Sequence, residues 1–362
     1  MDSRLIDIFI QVASINALSQ NEKSVADFIQ SFLSDAPISI KEDNSKIISG
    51  SNTGNLVCRF GDGGDFVLLS HMDTARPTLK MKPIIQNGKI TSAGDTVLGV
   101  DNRLGIAVLL YTMEKIIKEK IPVKHFTVIF TTCEETTLLG SKSLKLGARV
   151  NRGFVFDSSF RPGSFINSAC GAKGFTLRIV GKSSHSGIEP EKGINAIAVA
   201  GAGLNRIKQG RVDNETTVNI GKIYGGSAVN VVPEEIFLEG EVRSFNNHKV
   251  IEKINQIRKI FQEEADRVNA RIEFNSEWDF KPFTVNKESR VYKEISLILK
   301  KVNLLPEPRV SLGGSDANSL NELGIPSVNL GIGAQNPHSN DEFVLIEDMY
   351  KSAEIAIELV KK

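Results

Sequence analysis

At five places along this chain an apolar segment, or the turn beside one, gives way to an imidazole or a carboxylate. In LLSHMDT the run Phe66 to Leu69 stops at Ser70 and delivers His71 and Asp73. Gly99-Val100-Asp101-Asn102 stands before a helical stretch. HFTVIFTT runs into Cys133-Glu134-Glu135, GFVF into Asp157, and IPSVNLGI is followed by Pro337-His338-Ser339. Positions i and i+2 of an extended chain face the same side, so His71 and Asp73 can address one point. In open α/β sheets, ligand sites gather outside the carboxyl ends of strands. Each segment alone has an ordinary use: Asp101 as a helix cap, Glu134 and Glu135 as a solvated helix start, Asp157 in a turn, His338 on a surface loop. Five unrelated loops have no reason to present only metal-binding side chains.

The rest of the chain supplies a frame. A length of 362 residues suits two domains rather than one. Strands are expected at 45–49, 55–59, 65–70, 125–132, 153–157 and 325–332, and helices at 102–118, 288–303 and 315–323. Leu5, Ile8, Phe9 and Val12 mark an amphipathic helix at the start. Ser19-Gln20-Asn21-Glu22 fits a capping box ahead of the helical stripe Val25, Phe28, Ile29, Phe32. This alternation indicates an α/β domain with a covered sheet. Residues 174–181, 193–209, 216–223, 235–244, 247–268 and 270–277 read instead as β-α-β-β-α-β, a ferredoxin-like α+β module. The expected organisation is a discontinuous domain, 1–173 and 283–362, interrupted by an insert at 174–282.

Charge excludes some partners. Lys plus Arg number 44 against 43 Asp plus Glu, which invites neither nucleic acid nor a membrane surface. The basic run Lys115 to Lys120 reads as a solvated helix face. Cys58, Cys133 and Cys170 are widely spaced and odd in number, which fits a reducing cytoplasm and no disulfide framework. The start MDSRLIDIFIQV lacks the pattern of a signal peptide, and no apolar run is long enough to cross a membrane.

Imidazole and carboxylate ligands suit zinc, and also cobalt or manganese. The inventory allows two divalent ions, with one carboxylate bridging and one histidine and one further carboxylate for each. Adjacent Glu134 and Glu135 can supply one ligand and one free base.

Taken in order, SHMDT, GVDNRLG, TTCEETTLLGS, FDSS and PHSNDEF resemble the M20 family of dinuclear zinc peptidases, and within it the peptidase T (tripeptidase) branch. The likeness covers nearly the whole chain, insert included. It implies a mixed-sheet catalytic domain with an inserted lid and dimerisation domain. By resemblance, His71 and Asp157 hold one ion, His338 and Glu135 the other, and Asp101 bridges. Asp73 orients His71, and Glu134 is the general base that activates water. Asp rather than Glu at position 157 resembles the aminopeptidase, dipeptidase and tripeptidase members. In the insert, His185 of KSSHSGIEPEKG resembles the histidine that polarises the scissile carbonyl. Asn230 of GGSAVNVVPE and Arg243 of GEVRSF resemble groups that hold the substrate. Gly313 and Gly314 of SLGGSDANSL resemble the loop lining the substrate site, with Asp316 beside them. Thr136 to Gly140, and Ser158 with Ser159, depart from the common pattern at positions bordering the pocket, which leaves substrate size open.

The function this implies is metal-dependent removal of residues from short peptides, with tripeptides foremost, by a homodimer paired through the lid. The alternatives are an N-acyl-amino-acid amidohydrolase or a dipeptidase using the same ions, or a binding protein that kept the fold without catalysis. His125 and His248 match no motif.

Overall fold

The structure is a computed structural model and describes residues 3–362. It forms two compact units. One comprises the chain up to Ser168 together with Thr284–Ser311 and Ser315–Lys362; the other comprises Ala169–Phe283 and Leu312–Gly314.

The first unit is built on a mixed sheet. Its centre is four parallel strands in the order Phe126–Thr131, Phe66–His71, Arg152–Ser158, Ser327–Gly331. Leu56–Phe60 and Ser164–Ala169 continue it on either side as antiparallel neighbours. The central strands read as unbroken runs such as FVLLS, FTVIFT and RGFVF because both faces are covered. Phe66 stacks on Phe126 at 5.9 Å and meets Phe154 edge-on at 6.3 Å. Helix Arg4–Ala13 buries Leu5, Ile8, Phe9 and Val12, as its spacing predicts. It packs on helix Val100–Lys118, which also contacts helix Ile346–Val360. Gly105 lets the Val100–Lys118 helix approach the sheet: a Cβ there would lie 2.3 Å from the Phe156 carbonyl oxygen and 2.6 Å from Ser70 Oγ.

Two local expectations fail. The strand expected at 45–49 is a helical turn, Lys46–Ser49, and the strand lies earlier at Ser39–Glu42. Asp43 Oδ1 accepts the backbone N–H groups of Ser45 and Asn55 and so folds the segment back, and Ile47 and Ile48 stay exposed. The capping box at Ser19–Glu22 is also absent. Helix Lys23–Phe32 has no side-chain cap; Ser19 and Glu22 turn inward to other partners described below.

The second unit is the expected ferredoxin-like module. Strands Thr216–Gly225, Glu235–Ser244, Gly171–Val180 and Arg271–Phe280 lie in that order, each antiparallel to its neighbour. A short strand, Gly210–Arg211, adds to the outer edge of Thr216–Gly225. Helices Ala196–Arg206 and Asn247–Asp266 start on Asn195 and Asn246, whose side chains accept backbone N–H groups of their first turns. Their apolar stripes pack with the sheet around Leu177, Ile179, Leu238, Val250, Ile254 and Phe261.

Candidate metal centre and active site

The parallel strands carry the site at their carboxyl ends. His71 is the last residue of its strand and is 1% exposed. Asp157 lies near the end of the next strand, Glu134 and Glu135 follow the strand Phe126–Thr131, and Asp101 lies in the non-helical turn at the start of Val100–Lys118. His338 comes from the loop after Ser327–Gly331. Residues far apart in sequence meet because parallel strands with right-handed crossovers bring their carboxyl ends to one edge.

Asp101 is the centre of the cluster. Its Oδ1 lies 3.1 Å from His71 Nε2 and its Oδ2 lies 3.2 Å from His338 Nε2. His71 Nε2 is also 3.3 Å from Asp157 Oδ1. His338 Nε2 is 3.0 Å from Glu135 Oε1. The carboxylate of Asp101 thus divides two sets, His71 with Asp157 and His338 with Glu135.

These groups fit divalent metal ions. Ligands about 2.0–2.1 Å from a tetrahedral ion stand about 3.3 Å apart, close to the separations seen here. Glu135 Oε1 is buried and receives no hydrogen bond, although His338 Nε2 is within reach. His71, Asp101 and Glu135 offer ligand atoms within 4.8 Å of one another. The two imidazoles and the Asn329 side-chain amide, 3.4 Å from Asp157 Oδ2, are the partners the structure gives Asp101, Asp157 and Glu135, and buried carboxylates gathered this closely call for a compensating cation.

Electrostatics says the same. Burial opposes charge on His71, yet Glu134, Asp101, Asp157 and Asp73 around it hold its pKa well above the ordinary value. The Asp101 and Glu135 carboxylates beside it lift His338 to about 10. Burial works against the Asp101 carboxylate, but the two histidines hold its pKa far down. Burial pushes Asp157 up to about 7. Burial, with Asp157, Glu135 and Asp316 nearby, raises Glu134 well above a normal carboxylic acid despite His71.

Around this set lies a second layer of contacts. Asp73 Oδ1 accepts the Glu134 N–H at 3.1 Å, and Oδ2 accepts the Glu135 N–H at 3.1 Å and the Ser19 hydroxyl at 2.6 Å. His71 Nδ1 lies 3.0 Å from the Asp73 carbonyl oxygen and 3.3 Å from its carboxylate. Glu22, wholly buried, accepts the Cys133 N–H at 2.8 Å. Glu342 accepts the N–H groups of Gly99 and Asp101. Asp316 Oδ2 accepts the Thr131 hydroxyl at 2.5 Å. Arg103, fully buried, donates to the carbonyl oxygen of Met72, between His71 and Asp73. Sequence reasoning missed Ser19, Glu22, Arg103 and Glu342 as parts of this site. Glu342 had a signal, its place in PHSNDEF; Glu22 was read as a local cap.

The remaining candidate residues are in the second unit. His185 and Val231 pair as a β-bridge, and the Ser186 N–H donates to the Asn230 carbonyl, so His185 and Asn230 sit on adjoining exposed loops. The His185 Nδ1 accepts the Gly187 N–H at 3.2 Å. Arg243 forms a two-pronged pair with Glu241 and donates to the Leu312 carbonyl at 3.2 Å. Gly313 and Gly314 follow directly; a Cβ on Gly314 would meet the Phe280 ring at 2.6 Å.

The peptidase dimerisation domain family (M20) matches residues 167–269. The uncharacterized protein YqjE of Bacillus subtilis is 31% identical over 367 residues, covering 100% of this chain and 98% of that one. The crystal structure of a tripeptidase from Staphylococcus aureus superposes with a TM-score of 0.92 at 30% identity, over 100% of this chain and 98% of that chain. The chain is an M20 peptidase of the peptidase T-like branch. Peptidase T of Bacillus subtilis is 25% identical over 335 residues, 88% of this chain and 79% of that protein. This M20 peptidase is therefore a metallopeptidase that binds divalent metal, and His71, Asp101 and Glu135 form a cluster that could hold an ion. No helix among the described residues is long and apolar enough to cross a membrane.

Proposed function

We propose that this M20 peptidase is a cytoplasmic aminopeptidase that cleaves short peptides, tripeptides foremost, at a centre of two zinc ions, with cobalt or manganese as substitutes. His71 and Asp157 hold one ion, His338 and Glu135 the other, and Asp101 bridges. The observation that carries this reading is the pair of Asp101 oxygens, each turned to a different histidine. The bound ions would supply an activated water and charge stabilisation for the carbonyl oxygen.

The chain's own groups do the rest. Glu134 takes the water proton on its carboxylate and returns it to the leaving amine. Burial raises its proton affinity above that of an ordinary carboxylate, which favours taking up a proton. Asp73 holds the Glu134 backbone, so the carboxyl keeps one position through both transfers. Acceptance of the Gly187 N–H at His185 Nδ1 leaves the proton on Nε2, the tautomer that can donate to a substrate carbonyl. Asn230, Arg243, Gly313 and Gly314 bind the peptide, with the planar guanidinium suited to a terminal carboxylate. The match to a dimerisation domain, and Ile223 and Tyr224 exposed on the strand Thr216–Gly225, support a homodimer paired through the inserted domain.

The test is mass spectrometry of one mixed digest. Free dipeptides, tripeptides, longer peptides and N-acyl amino acids are offered to zinc-loaded protein, with a chelated control. The expected result is loss of the N-terminal residue from tripeptides, abolished by chelation. Cleavage of the acylated compounds alone would move the protein to an amidohydrolase role. The Glu134→Gln protein should bind metal as the wild type does and lose about 100-fold or more in turnover.

A further inference from the structure

Glu342 lies four residues beyond His338 and is 1% exposed. Between Gln335 and Phe343 the backbones exchange hydrogen bonds of 3.0 and 3.1 Å, which closes residues 335–343 into a loop. Inside it, Ser339 Oγ donates to the Asn336 carbonyl at 2.9 Å, and the Glu342 N–H donates to the Ser339 carbonyl at 3.2 Å. His338 rides on this loop. The Glu342 side chain leaves it and crosses to another part of the unit. Its Oε2 accepts the Gly99 N–H at 2.6 Å and its Oε1 accepts the Asp101 N–H at 3.0 Å.

Those two N–H groups belong to the turn that leads into the helix Val100–Lys118, where Asp101 (φ −85°, ψ 102°) and Asn102 (φ −123°, ψ 37°) are still non-helical. Backbone N–H groups in such a turn have no place in a helical ladder, and when buried they need an acceptor from elsewhere. The cap position is Gly99, with φ of 76°, and it has no side chain to serve. A residue with a Cβ at Gly99 would be strained and would lie 2.9 Å from Thr78 Cγ2. The turn is therefore held from 243 residues away.

One carboxylate thus ties the backbone of Asp101 to the loop that carries His338. His71 and Asp157 stand on sheet strands, which fix them without such a tie. His338 stands on a loop, and its side chain is 49% exposed. We propose that Glu342 is a positioning residue that sets the spacing of Asp101 and His338, so that its loss weakens the ion on the His338 side and spares the ion on the His71 side. This rests on the reading of His338, Glu135 and Asp101 as one half of a two-ion site.

The experiment is calorimetric titration of chelated protein with Zn²⁺. It compares wild type, Glu342→Gln and Glu342→Asp, each also in a His338→Ala background, with the Tm of every variant recorded. Gln keeps one acceptor but turns an NH₂ toward the other N–H; Asp is too short to span both. The expected result is two ions in the wild type and one weakened about 10–100-fold in either variant, the other unchanged. In the His338→Ala background, the Glu342 substitutions should cost no further affinity. Wild-type affinity for both ions in a folded variant overturns the inference, whatever its Tm. Equal weakening of both ions, or an undiminished effect in the His338→Ala background, overturns it as well. Uptake of a single ion by the wild type overturns the two-ion reading, and this inference with it, before any variant is compared.

Discussion

The carboxylate of Asp73 accepts the backbone N–H of Glu134 at 3.1 Å. Its other oxygen holds the Glu135 N–H and the Ser19 hydroxyl, while His71 Nδ1 leans mainly on the Asp73 carbonyl. The side chain thus does more than orient an imidazole: it fixes the turn that presents Glu134 and Glu135, the proposed general base and ligand. Asp73→Ala should orphan two buried N–H donors, at about 1–3 kcal/mol each, and lower turnover about 10–100-fold. Denaturant melts and kcat at saturating metal check this. Unchanged kcat at full metal occupancy would confine Asp73 to His71.

Metal uptake should release protons. His338 sits at about 10 and His71 well above its ordinary value without metal, and both must be neutral to ligate. On the order of one proton should leave from His338 at pH 7.5, with His71 adding to the release, measurable by calorimetry in two buffers of different ionisation enthalpy. Equal heats in the two buffers would contradict the protonated histidines.

The same groups set a pH dependence for the metal-free protein. The folded pKa of His338 is raised from 6.5 to about 10, so its stabilisation is full below 6.5 and is lost as pH rises through 10. Asp157 is raised from 3.8 to about 7, so its ionisation on the way up destabilises the fold between those values. Both slopes run the same way. The Tm of chelated protein should fall between pH 6 and 10 relative to the loaded protein, where metal occupies the site. A constant gap between the two curves would refute the assignment.

Asp316 carries a buried carboxyl near Glu134 whose Oδ1 has no hydrogen-bond partner. After burial itself, neighbouring carboxylates including Asp316 are what raise Glu134. Asp316→Asn removes one of them and can keep the Thr131 hydrogen bond. The acid limb of kcat/KM should move to lower pH, with the maximal rate within about 10-fold of wild type. A shift to higher pH would show that Asp316 acts otherwise.

Glu22 is wholly buried and accepts the N–H groups of Gln20 and Cys133 and the Ser51 hydroxyl. Glu22→Ala should cost about 1–3 kcal/mol for each donor left unpaired and loosen the segment just before Glu134. Thermal melts check the first effect and kcat the second. Glu22→Gln, which retains one acceptor oxygen, should lie between the two.

The candidate site residues could be picked out in the sequence because each ends, begins or follows an element whose apolar pattern is local. A buried parallel strand announces itself over five or six residues, and what stands at its carboxyl end is visible at once: His71 after FVLLS, Glu134 after FTVIFTT, Asp157 after GFVF. The inserted module was legible for the same reason, since its strands and helices keep their periods of two and 3.6. Local pattern also misled. Ile47 and Ile48 look like strand residues, but the Asp43 carboxylate folds the segment back and leaves them in solvent. Ser19 to Glu22 has the spacing of a cap, yet both side chains find partners dozens of residues away.

The amino-acid order alone therefore determined the elements, their layering and the kinds of ligand at their ends, because those follow from hydrophobic period and strand direction. The tertiary structure alone decided which oxygen faces which nitrogen, and which buried carboxylates hold the site rather than form it. Glu342 holding the Gly99–Asp101 turn from 243 residues away leaves no mark in a short window of sequence. Its partners are backbone N–H groups, which every residue but proline carries, so only their position in space selects them.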